Sequence, residues 1–511
     1  MSFKRSAGIL MPISSLPSKY GIGTLGKEAY NFADFLAKAQ QSYCQVLPIG
    51  HTSYGDSPYQ AFSSFAGNPY FIDLDMLVED GLLEAKDLKK IKVKNAEKVD
   101  YGYLYETRYP LLYKAYETGI KKFDNEFDQF CVENRSWLED YALFMALKKH
   151  FKMASWLEWP DENIKKRNHD TLNYYREELN DDIRFYEFIQ FLFYKQFFAF
   201  KKYVNGLGIK IIGDLPIYIA MDSCEVWADP IQFKLDMELM VPKEVAGVPP
   251  DYFSANGQLW GNPLYNWEYM KTTGYKWWID RIDGVRKCFD VIRIDHFRGF
   301  EEYWAVPYGE KTAKNGHWDK GPSIDFVGVL RDWFHDADFI AEDLGIIDER
   351  VTDLLKQSGF PGMRVLEFGF TPDGSSYHCV QHHVKNGVCY IATHDNKPIM
   401  GFLDTCKKND LAYAKLIYGL NKEEGYNFGF IRAGMGSVCD LFIAQMQDYL
   451  GLGADATMNA PGTLGNWSWR MKKGANDNKL CEKIKRYTHA FNRDSNKIAE
   501  IAENGLKDKK K

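Results

Sequence analysis

Ile292-Arg293-Ile294-Asp295-His296 is a short β-compatible apolar run that stops abruptly at a carboxylate, and the pattern returns at Ile340-Ala341-Glu342-Asp343 and at Ile391-Ala392-Thr393-His394-Asp395-Asn396. Successive strands of a (β/α)8 barrel deliver acidic groups to its C-terminal rim in this way. Upstream, Gly206 and Gly208 stop a helical run, and Ile209-Lys210-Ile211-Ile212-Gly213-Asp214 follows as another strand ending in an acid. Cys44-Gln45-Val46-Leu47-Pro48 is read as the first barrel strand and Met363 to Phe368 as a later one, with helix-compatible segments between most of these runs. The alternation implies a parallel sheet, so the expected fold class is α/β, a (β/α)8 TIM barrel with large, mainly helical insertions.

One insertion, from about 77 to 205, is rich in Glu, Lys, Leu and Phe; in it Ile183, Tyr186, Ile189, Gln190, Phe193, Phe197 and Phe200 repeat with a helical period, as a packed face does. A second insertion, from about 222 to 270, is read as a loop forming a lid over the barrel mouth. After Leu441 the chain is read as helical with one polar loop, Met458 to Arg470, so no C-terminal all-β domain is expected and residues 1–511 form a single catalytic barrel.

Composition narrows the function classes. With 26% charged and 45% hydrophobic residues the chain is an ordinary globular one. A net charge of -6 gives no basic footprint for a phosphate backbone, which argues against nucleic acid and for a neutral ligand. Nine scattered cysteines, never C-x-x-C, point to reduced thiols in a cytoplasmic compartment rather than to a zinc site. His382-His383 has no partner at ligand spacing and is read as a surface pair, so no metal is expected. The apolar stretch Gly8 to Pro12 is too short for a secretory leader, and no 18-residue apolar run could span a membrane. Gly21-Ile22-Gly23-Thr24-Leu25-Gly26 mimics a dinucleotide loop, but no strand precedes it and no acid lies between Asp34 and Asp56 to hold a ribose. No cofactor is expected.

The acids carry the chemistry. A lone Asp at a strand end usually caps the next helix, but Asp214, Asp295, Glu342 and Asp395 together would repel one another unless function retained them. Arg293, two residues before Asp295 on the same strand face, would hold that aspartate ionised, which makes Asp295 the candidate nucleophile. Glu342, longer and on the neighbouring strand, suits the general acid/base, and two carboxyls flanking one bond are the minimum for cleaving a glycosidic linkage. His394 beside Asp395 is placed to donate to a sugar hydroxyl.

Further motifs carry a resemblance. They are Ser15-Leu16-Pro17, Tyr54-Gly55-Asp56-Ser57-Pro58-Tyr59-Gln60, Phe65-Ala66-Gly67-Asn68-Pro69-Tyr70, Gly213-Asp214-Leu215-Pro216, Gly257-Gln258-Leu259-Trp260-Gly261-Asn262-Pro263 and Met458-Asn459-Ala460-Pro461-Gly462-Thr463. With the acid blocks, they resemble the 4-α-glucanotransferases called amylomaltases or disproportionating enzymes, glycoside hydrolase family 77 of the α-amylase clan. The resemblance implies Asp295 as nucleophile, Glu342 as acid/base and Asp395 as a third carboxylate orienting sugar hydroxyls. It implies Arg293, Asp214, His394 and Tyr59 at the cleavage subsite, and Tyr252, Phe253 and Trp260 in a segment arching over the glucan. Tyr54 is implied as an outlying glucan contact, and Ser57 and Asn459 as further substrate contacts. One departure stands out: many members follow the third acid motif with another acid and a threonine, where this chain has Asn396-Lys397-Pro398.

The expected activity is transfer of α-1,4-glucan segments from a maltooligosaccharide to the 4-hydroxyl of an acceptor such as glucose or maltose. It would proceed by retaining double displacement without a cofactor. An α-amylase-type hydrolase and a non-catalytic glycan-binding scaffold are the alternatives.

Overall fold

Eight parallel strands close into a barrel in chain order: β1 Ser6–Leu10, β2 Tyr43–Gln45, β3 Lys210–Leu215, β4 Val291–Ile294, β5 Asp338–Ala341, β6 Gly362–Val365, β7 Gly387–Tyr390 and β8 Leu441–Gln445, the last pairing back onto β1. The structure, a computed structural model, describes residues 3–53, 55–250, 254–370 and 372–494. Side chains alternate across a strand, so every second residue enters the barrel. Leu10, Tyr43, Ile212, Val291, Ile340, Met363, Val388 and Leu441 meet inside as one buried cluster. Two positions further along their strands, the same inward face carries Asp214, Arg293 and Glu342. An apolar floor thus supports a polar rim. Gly8 makes room for it: a β-carbon there would lie 2.6 Å from Tyr43 Cβ and 2.7 Å from Ile443 Cδ1.

Two barrel strands escape the sequence reading. The first is β1, and the Cys44–Pro48 run is the second, shortened to Tyr43–Gln45. Ser6-Ala7-Gly8-Ile9-Leu10 shows no alternation because all five residues are buried, as expected where both faces of a parallel strand are covered. The last strand, β8, lies in the stretch read as helical. Its continuous run Leu441-Phe442-Ile443-Ala444 cannot be told from a buried helix by periodicity. Beyond Gln445 the described residues hold no further strand, only helices, 3-10 turns, loops and an isolated bridge between Lys98 and Trp469. His383, read as surface, is buried, with its ring nitrogens on Ser437 Oγ and the His378 carbonyl.

Helices fill the chain between β2 and β3, ending in the 27-residue helix Asn180–Gly206. Tyr186, Ile189, Gln190, Phe193, Phe197 and Phe200 are buried as the periodicity predicts, and so are Phe185, Phe188, Phe191 and Leu192, because the helix core is wrapped by neighbours. Two of its glutamines grip the main chain below the barrel mouth. Gln190 Oε1 accepts from Gly67 N (2.7 Å) while its Nε2 donates to Gly67 O (3.0 Å); Gln196 does the same to Asp73 N (2.7 Å) and O (3.2 Å). The segment read as a lid loop contains strands Glu244–Val248 and Gln258–Pro263. With Glu302–Pro307 and His317–Lys320 they make a four-stranded antiparallel sheet. Gly261 at φ 77° and a register shift between Val245 and Gly247 hid that pattern from the sequence. Among the described residues no helix is long and apolar enough to cross a membrane, and none of the nine cysteines is in a disulfide.

Candidate active site

Register brings the first two acids together. On the adjacent strands β4 and β5, Ile294 pairs with Ala341, so Asp295 and Glu342 each stand one residue past a paired position. Neighbouring strands lie about 4.8 Å apart, which sets these two residues side by side at the rim. Glu342 N donates to Ile294 O and Phe297 N to Glu342 O, both at 3.0 Å, carrying the pairing past the strand ends. His296 adopts the left-handed conformation, φ 52°, and its N–H donates to Glu342 Oε2 at 2.8 Å. Leu344 N–H donates to Oε1 at 2.6 Å, so two main-chain donors fix the carboxyl.

Arg293 joins two of the acids. Its Nη1 donates to Asp214 Oδ1 (2.6 Å) and Oδ2 (2.7 Å) and to Asp295 Oδ1 (3.0 Å). Burial pushes the Glu342 carboxyl well above the usual range, and the charge of Asp295 adds to this; Arg293 and the two main-chain donors only partly offset it. Burial raises Asp295 too, but Arg293 pulls against it directly, so Asp295 ionises first. One acid is thereby kept protonated while its neighbour is charged, the division of labour that glycosidic cleavage needs.

The third acid is held differently. Burial would raise Asp395, but His394 and Asn459 outweigh it and bring it down to about 2. Asn459 Nδ2 donates to Asp395 Oδ1 at 2.6 Å, and His394 Nε2 lies 3.2 Å from Oδ2. Asn396 Oδ1 closes the turn beneath by accepting from Thr393 N and Oγ1. The Tyr59 hydroxyl donates to Asp214 Oδ2 (2.8 Å) and lies 2.7 Å from His394 Nε2. That hydroxyl has one proton and Asp214 takes it, so the network assigns the His394 proton to Nε2, donating to Tyr59 and Asp395. Burial disfavours the charge on His394, yet Asp395 and Asp214 prevail and raise its pKa. Tyr59 and His394 stack at 12° with centroids 5.2 Å apart.

The structure therefore gathers Asp214, Arg293, Asp295, Glu342, His394, Asp395, Tyr59 and Asn459 at one barrel mouth. Trp260, on the strand Gln258–Pro263, packs edge-on against His296 at 4.9 Å. Ser57 shapes the Tyr59 loop, its Oγ accepting from Tyr59 N at 3.3 Å. Tyr54, Tyr252 and Phe253 lie outside the described residues. Lys397 is exposed. Asp343, beside Glu342, is structural: it accepts from Met363 N and Arg364 Nη1 on the next strand.

Two site residues escaped the sequence reading. Trp467 packs against both Tyr59 (5.7 Å) and His394 (6.1 Å), and its backbone sits at φ 61°, rare for so large a side chain. Its only mark in the sequence is its place in the polar loop Met458 to Arg470. His296 was visible only as the residue after Asp295. Its main-chain geometry left no trace.

Residues 11–476 match the family model described as 4-alpha-glucanotransferase. The chain is 47% identical over 486 residues to the 4-alpha-glucanotransferase of Clostridium butyricum, covering 94% of this chain and all of the relative. It is 42% identical over 486 residues to that of Thermus thermophilus, covering 93% and 96%. Among solved structures, the amylomaltase of Streptococcus agalactiae in complex with acarbose superposes with a TM-score of 0.94 at 42% identity, covering 96% of this chain and 100% of that one.

Proposed function

The chain belongs to the 4-α-glucanotransferases of glycoside hydrolase family 77, and on that premise we propose which of its residues carry out the transfer and to which acceptor. The enzyme moves segments of α-1,4-glucan from one chain to another. Asp295 attacks the anomeric carbon of the donor sugar while protonated Glu342 gives its proton to the departing glycosidic oxygen, leaving a glycosyl ester on Asp295. Glu342, now ionised, takes the proton from the 4-hydroxyl of the incoming sugar. That oxygen attacks the same carbon from the opposite side, expels Asp295 and restores both carboxyls. Arg293 keeps Asp295 charged, while Asp395, His394 and Tyr59 bind ring hydroxyls.

The observation that carries this assignment is the pair itself: two acids on neighbouring strands, one gripped by a guanidinium and the other by two main-chain N–H groups. Hydrolysis and transfer differ only in which hydroxyl arrives second. Trp260 beside His296, with Tyr252 and Phe253 of the same segment, excludes water and favours an acceptor glucan, glucose or maltose. Nine cysteines with no disulfide among them fit a cytoplasmic location.

Maltotriose is the test substrate. Glucose and longer maltooligosaccharides should form with little gain in reducing ends. A gain in step with glucose would favour the hydrolase alternative, and product from Asp295→Asn at the native rate would remove Asp295 as the nucleophile.

A further inference from the structure

Away from the barrel mouth, the four-stranded sheet beside it brings a histidine and two carboxylates to one point. His317 and Asp319 lie two residues apart on its edge strand and share a face, while Glu244 comes from a strand that is not its neighbour. The strand between them is Glu302–Pro307, in which Ala305 pairs with His317 on one side and with Ala246 on the other. Strands two places apart are separated by about 9.6 Å, too far for main-chain contact. The methyl of Ala305 leaves room above the middle strand, and there the long arms of Glu244 and His317 meet. His317 Nε2 stands 3.5 Å from Glu244 Oε1 and 3.6 Å from Asp319 Oδ1. All three ligand atoms lie within 4.8 Å of one another.

We propose that Glu244, His317 and Asp319 form an accessory site for a borderline divalent cation of the Zn2+ type, pinning the outer strand of this sheet to an inner one. A tetrahedral zinc site with bonds near 2.0–2.1 Å has ligand atoms about 3.4 Å apart along each edge. The two separations from Nε2 need to close by only a few tenths of an ångström. One imidazole with two carboxylates selects Zn2+, Ni2+ or Cu2+ over Mg2+ or Ca2+, which prefer all-oxygen shells. Asp319 divides its oxygens: Lys234 Nζ holds Oδ2 at 2.6 Å, leaving Oδ1 for the metal. The histidine ring is half exposed, so an ion and its water ligand can enter from solvent.

The opposite face of the sheet is apolar, with Trp304 and Trp318 edge to face at 5.2 Å and Val245 against Val306. The outer strand next to Glu244–Val248 is Gln258–Pro263, which carries Trp260. An ion at this site would stiffen the support of Trp260 without touching the reacting sugar.

The test is calorimetric titration of the full-length, chelator-stripped protein with ZnCl2 alone, and separately with MgCl2 and CaCl2. One equivalent should bind Zn2+ at least tenfold more tightly than Mg2+ or Ca2+. That affinity should fall at least tenfold in both His317→Ala and Asp319→Asn, while metal-free activity on maltotriose and the thermal midpoint stay at native values. His169→Ala removes an exposed histidine whose carboxylate neighbour, Asp170, is not part of such a triad, and it should change nothing. Absence of Zn2+ binding, or binding that persists undiminished in His317→Ala, would overturn the proposal.

Discussion

Replacing Arg293 by methionine removes the guanidinium that touches Asp295 and leaves the barrel otherwise filled. In the native enzyme the guanidinium nitrogen lies 3.0 Å from Asp295 Oδ1, so the two charge centres are about 4 Å apart. At an effective dielectric near 20 this is worth about 4 kcal/mol, a rise of about three in the pKa of the carboxyl. Starting from about 6, Asp295 would titrate near 9, and about one molecule in a hundred would carry the charged nucleophile at pH 7.

Native activity should rise with pH as Asp295 ionises near 6 and fall as Glu342 loses its proton near 8. In Arg293→Met the rate on maltotriose at pH 7 should drop about a hundredfold and then climb about fivefold to pH 8, ionisation of Glu342 cancelling half of the gain, while the native rate is already falling. Breaking a buried pair also costs about 3–5 kcal/mol of stability, but the shape of a pH profile does not depend on how much enzyme remains folded. Arg293→Lys, which keeps the charge, should restore the native acid limb. A bell of native shape in Arg293→Met, merely lower, would refute this account of how Asp295 stays charged.

Two further outcomes follow from the same geometry. Glu342→Gln should lose transfer from maltotriose yet still react once with a maltosyl fluoride, whose leaving group needs no proton. Trp467→Ala should lower kcat more than it raises KM and cost about 3–5 kcal/mol in unfolding, with Trp467→Phe recovering most of both. An unaltered kcat in the alanine variant would show that Tyr59 and His394 do not lean on that ring.

The acid blocks were legible because near the rim outward apolar residues alternate with inward polar ones, so Ile292-Arg293-Ile294-Asp295 announces both a strand and the charge it presents. The strands β1 and β8 were not, since small or uniformly apolar runs buried on both faces lack the contrast that periodicity detects. The four-stranded sheet was hidden by a left-handed glycine and a register shift. Within the site, side chains with charge could be nominated from sequence. What holds them could not: the two main-chain donors on Glu342 come from a left-handed residue and a loop, and Trp467 reaches Tyr59 from the far end of the chain. Such contacts depend on closure of the whole barrel and leave no local mark.

The two glutamines of the long helix have a consequence for anyone recombining this enzyme with its relatives. Each amide side chain offers a donor and an acceptor in the geometry of one rung of a β-ladder, so the helix is sewn to the loop backbone at Gly67 and Asp73 as though it were an extra strand. A graft of the helical segment that changed either amide to its isosteric acid would set carboxylate oxygen against carbonyl oxygen and open the seam. Exchange boundaries should therefore keep each glutamine with the backbone it clasps.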